Sequence, residues 1–508
     1  MAISSGLNAG VQKIKIPLLP NQVTTDSIMP YLPDILTKFQ ANKRKIQDNW
    51  SKFENQHNIE TKIRRYDDDS SINNIVSTPY LYEMVTFKSG YAFGNPKEYA
   101  QSSQDQSDGI KYLNRYSRDA NERSKDKNVA TYCYATGTSY YFIEPKDTDF
   151  DSEYEAPYVI YDKMPDCCAK IYSAYNGEPE LFDMLVTTVT KRENGKSTDI
   201  TTISVYLPDT YIEYEYNGSL DYPYNITKLE EKEKPRAVYK MLPLVEKFAN
   251  ENRIGIVEIG TSLQDAIDQL NSSQVDNVED LVNQLLVFMN TVLGEDQEAE
   301  AAFLKNAKAN GVIVLNDKNP DLKADVKTIT QKLDYAGISN IINSMKRDLF
   351  DSCGVPIPSS EASSGGSNTG AVEKGNGYDN AYNRILDDYN SFAIADREVL
   401  KRKLFICKAF ANSKVNDIYA SDIDIKYNPN MSDNMLTKSQ SYVNFVEHGV
   451  PPVLAIQWCR ISNDAITPAK QIAEYAEAQA KKEQEQNISL EGEEKNGINT
   501  SNGDNING

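Results

Sequence analysis

The spacing of hydrophobic positions divides the chain into a helical beginning, an alternating middle and a helical second half. Residues 31–65 carry a charged helical pattern, which Asp67-Asp68-Asp69-Ser70-Ser71 breaks. A second helical stretch over 72–90 ends at Gly90, and Gly90-Tyr91-Ala92-Phe93-Gly94-Asn95-Pro96 supplies cap and turn residues in quick succession. From about 130 to 240 the period shortens to two. Thr131–Ile143, Tyr158–Tyr161, Leu181–Thr190, Asp199–Leu207 and Tyr211–Tyr216 read as strands separated by Asn-Gly, Pro-Asp and Glu-Pro turns. In the last of these, Ile212, Tyr214 and Tyr216 alternate with Tyr211, Glu213 and Glu215, as a strand with one wet face should.

After Pro243 the helical period returns. Leu263, Ala266, Ile267 and Leu270 share a face, which Val278, Leu281, Val282 and Leu285 continue beyond the interruption Asn271-Ser272-Ser273-Gln274. Between 260 and 284 there is no Lys or Arg, while Asp265, Asp268, Asp276, Glu279 and Asp280 make one side acidic. Such a face is ordinary solvated surface, or the lining of a passage that must not grip a polyanion. A compact insert follows, with strands at Leu285–Met289 and Gly311–Asn316 around a helix at 295–309 and a strand or turn at Asp325–Thr330. A second helix over Ala336–Ser352 places Ile338, Ile341, Ile342, Met345, Leu349 and Cys353 on one stripe, and Gly354-Val355-Pro356 stops it. Ser359 to Gly377 is a Ser/Gly/Asn segment that cannot bury a core. The longest helix, Tyr378 to Phe410, keeps Tyr382, Ile385, Leu386, Tyr389, Phe392, Val399, Leu400 and Leu404 in helical register, for a length of roughly 50 Å. Shorter helices are expected near 433–448 and 464–482, before a polar tail that reads as disordered.

Composition narrows the function. A chain of 508 residues needs more than one packed unit. Of its 32 tyrosines, 16 fall between Tyr132 and Tyr239, in the alternating region, where a ring can pack while its hydroxyl stays wet. A net charge of −20 argues against wrapping nucleic acid, though not against letting it slide past. No apolar run reaches membrane-span length, and Met1 to Pro30 holds no signal-type apolar block. The six cysteines show no C-x-x-C spacing and read as free thiols of a reducing compartment.

The parts of an enzyme are missing. The only histidines, His57 and His448, read as surface or cap residues, and neither adjoins a nucleophile motif. His/Cys metal clusters are absent, and the triple Asp lacks the alternating ligands and Gly of a calcium loop. Gly370-Ala371-Val372-Glu373-Lys374-Gly375 imitates a phosphate loop, but Asn376 and Gly377 stand where Lys and Ser/Thr are needed. No carboxylate pair stands out in so acidic a chain. The expectation is a non-enzymatic structural protein with no cofactor and no metal.

The order of elements, together with three local segments, resembles the portal proteins of tailed double-stranded-DNA bacteriophages, in the branch of long-tailed phages of Gram-positive hosts. Asn74-Ile75-Val76-Ser77-Thr78-Pro79-Tyr80 with Gly90-Tyr91 and Gly94-Asn95-Pro96 is similar to the family's N-terminal Gly-x-Pro segment. Leu242-Pro243-Leu244-Val245-Glu246-Lys247-Phe248-Ala249-Asn250 resembles the approach to its stem, and Asn368-Thr369-Gly370-Ala371 the small-residue signature opening its long helix.

The resemblance implies an α+β portal architecture. Residues 1–259 would form a wing, β-rich over 130–240, and 260–284 and 336–353 two stem helices around an inserted α/β clip, 285–335. The tunnel loop would be 354–377, the long wing helix and its return 378–432, the crown 433–482 and the disordered tail 483–508. It further implies a homo-oligomeric ring of about twelve subunits at one capsid vertex. That ring would be a conduit for double-stranded DNA in packaging and ejection. It would dock the terminase large subunit and a head–tail adaptor, and would meet scaffold and major capsid protein. The protein would be assembled in the host cytoplasm and carried in the virion, with no membrane involved.

On this reading Lys346, Arg347, Ser359, Ser360, Ser363, Ser364, Gly365, Gly366, Ser367, Asn368 and Lys374 are candidates for facing the channel or DNA. Asp265, Asp268, Asp276, Glu279 and Asp280 are candidates for the stem lining. Lys346 and Arg347 also fit ordinary stem charges that pair with Asp348 or with a neighbouring subunit. Another virion part, such as a collar or baseplate component, is the alternative function, and a glycan-binding protein using the tyrosine-rich region is a third.

Overall fold

A computed structural model of the chain describes residues 10–62, 73–101, 108–146, 154–193, 196–208, 210–217, 226–233, 241–282, 285–289, 325–329, 335–357, 378–410, 413–430, 435–459 and 471–477, with the single residues 298, 301 and 461. The fold is mixed α+β and divides into two compact units, each built from three stretches of chain. The first holds residues 1–89, 128–142 and 162–395, and the second 90–127, 143–161 and 396–508.

The first unit opens with β1 (Ile14–Ile16), a helical turn α1 (Thr25–Ile28) and α2 (Leu32–Phe53). Thr24 caps α1 by accepting from the N–H of Ser27 at 3.2 Å, while Ser27 Oγ accepts from the N–H of Thr24. The predicted helix over 31–65 therefore begins as expected and stops early. Asn55 takes φ +69°, and the N–H groups of Asn55 and Gln56 return to the carbonyls of Lys52 and Ser51, a left-handed C-cap built on Asn rather than Gly. The next helix, α3 (Tyr80–Phe93), starts later than expected and runs through Gly90 into the second unit.

The second unit continues with β2 (Glu98–Gln101), α4 (Asp108–Asp119) and the start of α5 (Glu122–Thr136), which ends in the first unit. Thr131–Thr136 was expected as strand. It is helical instead, with Cys133, Tyr134 and Ala135 buried, so packing overrides the β preference of Thr and Tyr. Gly137, at φ +88°, ends α5, and β3 (Thr138–Pro145) follows, with β4 (Tyr158–Lys163) beside it.

The alternating region is a six-stranded sheet in the order β1-β5-β6-β7-β8-β9, made with β5 (Cys168–Ser173), β6 (Glu180–Glu193), β7 (Lys196–Tyr206), β8 (Thr210–Asn217) and β9 (Ile226–Glu233). Only β1 joins it in parallel, pairing Ile14 with Ile171. The others are antiparallel, and Glu193 pairs with Lys196 as a two-residue Asn-Gly connection requires. One face of this sheet buries Phe182, Met184, Ile203, Val205, Ile212 and Tyr214 against Ile35, Leu36 and Phe39 of α2. The alternation expected of Tyr211–Glu215 is thus the alternation observed. β10 (Leu244–Phe248) lies antiparallel to β3, with Leu244 opposite Phe142.

Then come α6 (Ile256–Val282), β11 (Leu285–Met289), β12 (Asp325–Ile329) and α7 (Tyr335–Cys353). β11 and β12, at the positions read as a strand and as a strand or turn, pair antiparallel between two helices that pack together. The strand expected at Gly311–Asn316 and the helix at 295–309 lie outside the described residues, apart from helical positions 298 and 301. The stop after α7 is a Schellman motif. Gly354, at φ +68°, donates to the carbonyl of Asp351, and Val355 donates to that of Phe350.

The long helix α8 (Tyr378–Ala409) begins in the first unit and ends in the second. The second unit then adds β13 (Ile423–Lys426), antiparallel to β2, and two helices, α9 (Met435–Glu447) and α10 (Pro452–Cys459), of which only α9 was expected. Residues 471–477 are helical, inside the stretch predicted at 464–482. Among the described residues of the second unit, two buried lysines hold ion pairs. Lys97 reaches Asp126 and Asp396, at 2.9 and 3.1 Å, and Lys403 reaches Glu122 at 2.7 Å.

Candidate functional site

The candidate residues that the structure describes lie on α6 and α7 of the first unit, and the acidic face of α6 is not left to solvent. Gln264, Asp265, Asp268, Ser272, Asp276 and Glu279 are spaced to lie along one side of the helix, and each binds the chain between His57 and Thr78. Asn58 Nδ2 donates to Asp265 at 2.8 Å, and the N–H of Val76 donates to Ser272 Oγ at 2.9 Å. Asp276 accepts from Lys62 Nζ at 2.7 Å and from the N–H of Asn74 at 2.6 Å, while Asn74 Nδ2 donates to Glu279 at 2.7 Å. The segment is a strap sewn onto α6.

Asp268 is the deepest stitch. It is 0% exposed, with Oδ2 2.6 Å from His57 Nδ1, and Oδ1 accepts from the N–H and Oγ1 of Thr78 and from Gln264 Nε2. Burial alone pushes such a carboxyl up, but the hydrogen bonds from His57, Thr78 and Gln264 outweigh it and hold Asp268 below the ordinary carboxylate range. At Asp276, burial is likewise outweighed, by Lys62 and Asn74, and the carboxyl is lowered.

These contacts correct two expectations. Asp268 is enclosed, so it cannot line an open passage; Asp265 and Asp276 are partly covered, and Glu279 stays exposed while holding Asn74. The side chain of Asp280 lies outside the described residues. His57 stands at the N-cap position of the helical turn Asn58–Thr61, but it is not a surface residue, being 3% exposed. Sequence inspection missed Lys62, Asn74, Thr78, Gln264 and Ser272 as partners. The usable signal was the four-residue repeat Gln264, Asp268, Ser272, Asp276, a polar stripe too regular for casual surface.

A hydrolytic reading can be tested on the same group, because Ser77, His57 and Asp268 meet. Both partners sit on one ring nitrogen: Ser77 Oγ lies 3.2 Å from Nδ1, where Asp268 also binds, and Nε2 faces the carbonyl of Lys52. A nucleophilic serine needs the nitrogen opposite the carboxylate. The arrangement therefore fastens rather than cleaves.

On α7, Lys346 places its ammonium 4.6 Å from the ring centre of Tyr80 and 5.7 Å from that of Phe350, a cation–π seat beside α3. Arg347 is exposed, and among the described residues neither cation pairs with Asp348. Ser359, Ser360, Ser363, Ser364, Gly365, Gly366, Ser367, Asn368 and Lys374 lie outside the described residues. Arg384 of α8 covers Gly354 so closely that a Cβ there would overlap its side chain, and its Nη1 donates to the carbonyl of Ser352 at 3.3 Å.

Other chemistry is modest. A cavity of about 20 Å³ between α2 and β5, lined by Lys170, Tyr140, Glu246 and Arg253, has room for a water and not for a ligand. The Cys167 and Cys168 sulfurs are 3.7 Å apart; the hydrogen bond with Cys168 lowers the half-buried Cys167 thiol, while burial pushes the Cys168 thiol well up. Among the described residues no group of three or more His, Cys, Asp or Glu is arranged for a metal ion. No described helix is long and apolar enough to cross a membrane.

No curated protein matches the chain. The family described as "Phage portal protein, SPP1 Gp6-like" matches residues 33–487, which span the strap, α6, α7, α8 and the helices after it. The family is a structural rather than catalytic component of the virion. The chain belongs to the SPP1 Gp6-like family of phage portal proteins.

Proposed function

We propose that the chain is the repeating subunit of a ring at one capsid vertex, through which double-stranded DNA enters during packaging and leaves during ejection. The observation that carries this reading is the portal-family match over residues 33–487, to which the structure adds exposed apolar side chains on the α6–α7 pair. Ile259, Val275 and Val278 on α6 and Ile341 on α7 are large apolar side chains that stay 41–51% exposed on two helices packed against each other. Exposed apolar side chains on two packed helices are what a neighbouring copy would cover, and repeating that contact by a fixed rotation closes a ring.

In this proposal α6 and α7 are the stem and residues 285–335 the clip, which docks the terminase large subunit and then the head–tail adaptor. Residues 1–259 and 378–432 form the wing, and 433–482 the crown. Scaffold and major capsid protein surround the ring, which is assembled in the host cytoplasm. Residues 354–377 form the tunnel loop at the DNA, where Lys374, together with Lys346 and Arg347 of the stem, supplies the few cations in an acidic channel. With Asp268 committed to the strap, Glu279 is the stem carboxylate that stays open to the passage. A net charge of −20 on every subunit favours sliding over sticking.

Electron micrographs of the purified protein test the proposal directly, and rings with a central hole are expected. A species that stays monomeric under every assembly condition sinks it. Deleting 359–377 should leave ring formation intact and abolish DNA packaging in a complementation assay.

A further inference from the structure

We propose that the adjacent side chains of Cys167 and Cys168 form a clamp for a soft, thiophilic ion, a metal or metalloid that takes two sulfurs at once. Their sulfurs lie 3.7 Å apart. Two thiolates on one tetrahedral ion, with metal–sulfur bonds of about 2.3 Å, stand about 3.8 Å apart. The pair already has the bite of a chelate.

The local backbone creates that bite. Neighbours along a strand point to opposite faces, which would keep two adjacent sulfurs well apart. Here Cys167 closes a short helical turn, Pro165–Cys167, and Cys168 opens β5. Pro165 starts the turn, and the N–H groups of Cys167 and Cys168 donate to the carbonyls of Met164 and Pro165. Cys167 is thereby swung round beside its neighbour. Gln47 of α2 holds the same turn, its Nε2 donating to Asp166 at 3.2 Å.

The two sulfurs have different tasks. Cys168 is 4% exposed and packs with Phe142, Leu185 and Leu244, while half-buried Cys167 gives the approach. As a thiol, Cys167 donates to the carbonyl of Met164 at 3.1 Å, which leaves its lone pairs to Cys168. The hydrogen bond with Cys168 lowers the Cys167 thiol, so Cys167 ionises and attacks first. Lys163, whose ammonium is 5.8 Å from the centre of the Phe142 ring, favours both thiolates, and Asp166 opposes it. Among the described residues no third His, Cys, Asp or Glu completes a metal set, so the ion brings the rest of its own shell. A disulfide fits less well. Neighbouring Cα atoms are about 3.8 Å apart, short of the ~4.4 Å at which disulfides usually begin, whereas a bridging atom lengthens the link.

Phenylarsine oxide is the first probe. Each thiol gives up its proton, the oxide oxygen leaves as water, and arsenic keeps its phenyl group while forming two As–S bonds. The intact protein is treated with one equivalent, and mass spectrometry with peptide mapping locates the adduct. One phenylarsenic group bridging Cys167 and Cys168 is expected, retained against excess monothiol and released by a dithiol. The other four cysteines, each 8% exposed or less and none adjacent to another, are internal controls.

In Cys167→Ser, retention against monothiol should fall about a hundredfold or more, because a chelate becomes a single bond. Cadmium titration of the native protein and the variant tests the metal arm through ultraviolet thiolate-to-cadmium absorption. Either probe held by both sulfurs supports the clamp. An arsenical lost as readily from the native protein as from Cys167→Ser, with no cadmium absorption, overturns it, as does mapping to other cysteines. Should the variant fail to fold, release from the native protein by monothiol alone overturns it equally.

Discussion

The ammonium of Lys403 lies 2.7 Å from a carboxylate oxygen of Glu122, and both side chains are almost wholly enclosed. Tyr99 and Ser117 complete the shell of the lysine at 3.0 Å each, and Tyr158 donates to Glu122 at 3.0 Å. Burial pushes the Glu122 carboxyl up and the Lys403 ammonium down. Each charge reverses that for the other, so Glu122 ends below and Lys403 above its ordinary range. The pair joins α5 to α8 within the second unit.

Lys403→Ala should therefore cost about 3–5 kcal/mol, because it strands a buried carboxylate rather than removing a surface charge. Replacing both partners, as Lys403→Met with Glu122→Leu, should recover much of the loss. Urea unfolding of the three variants measures this, and a single variant no worse than the double one would contradict the account.

Gly137 should tolerate no side chain. At φ +88° it lies against Arg253, where a Cβ would overlap the backbone carbonyl, and backbone cannot step aside as a side-chain tip can. Gly137→Ala is expected to destabilise by about 3 kcal/mol or more, combining left-handed strain with overpacking. Gly177, also at positive φ but with open space around it, is the control: its Ala variant should lose about 1 kcal/mol. Thermal melts of the two variants should separate by several degrees.

Acid stability should carry contributions of opposite sign. Asp268, Asp276 and Glu246 are carboxyls whose burial is outweighed by donors, so their folded pKa values are lowered. Their stabilisation is fully present above the ordinary carboxylate value of about 4 and is lost as pH falls through the lower folded values. Asp183 behaves oppositely. Burial, then neighbouring Glu180, push it well up, so its stabilisation is fully present below about 4 and is lost as pH rises through the raised folded value.

Asp183→Asn follows from that sign. Asp183 accepts from the N–H of Leu244 at 2.7 Å, which an amide oxygen can also do. The variant should gain about 1–3 kcal/mol near pH 8 and almost nothing near pH 4, because an amide removes the cost of burying a carboxyl that the unfolded chain leaves ionised above about 4. Urea midpoints at the two pH values measure it; an equal change at both would point to packing instead.

Gly354 couples the end of α7 to α8. Its positive φ and its closeness to Arg384 predict that Gly354→Ala costs about 2–4 kcal/mol, while Arg384→Ala, which opens that space, should relieve part of the loss in the double variant. A double-mutant cycle on thermal stability checks the coupling. Strict additivity would mean that Arg384 is not the atom group in the way.

Some of this molecule was written in short-range pattern. The stripe from Ile338 to Cys353 and the register from Tyr382 to Leu404 locate α7 and α8 because a helix buries residues at 3.6-residue spacing whatever lies beside it. Ile212 and Tyr214 face inward for the matching reason in a strand. The Gly-Val-Pro stop after α7 is also local, since left-handed φ at Gly354 needs no distant partner. The order of these elements, together with three local segments, pointed to the portal family.

What only the tertiary structure decided concerns partners far apart in the chain. Asn55, not a glycine, closes α2; Thr131–Thr136 is helical because Cys133 and Tyr134 are buried there; β1 joins the sheet in parallel beside β5, about 150 residues on. The acidic side of α6 looked like bare surface because charge along one helix says nothing of what crosses it. The partners of Asp268 are His57 and Thr78, 211 and 190 residues away. Period is a property of neighbours and was legible in the sequence, whereas burial and pairing depend on which distant segments meet, and only folding brings them together.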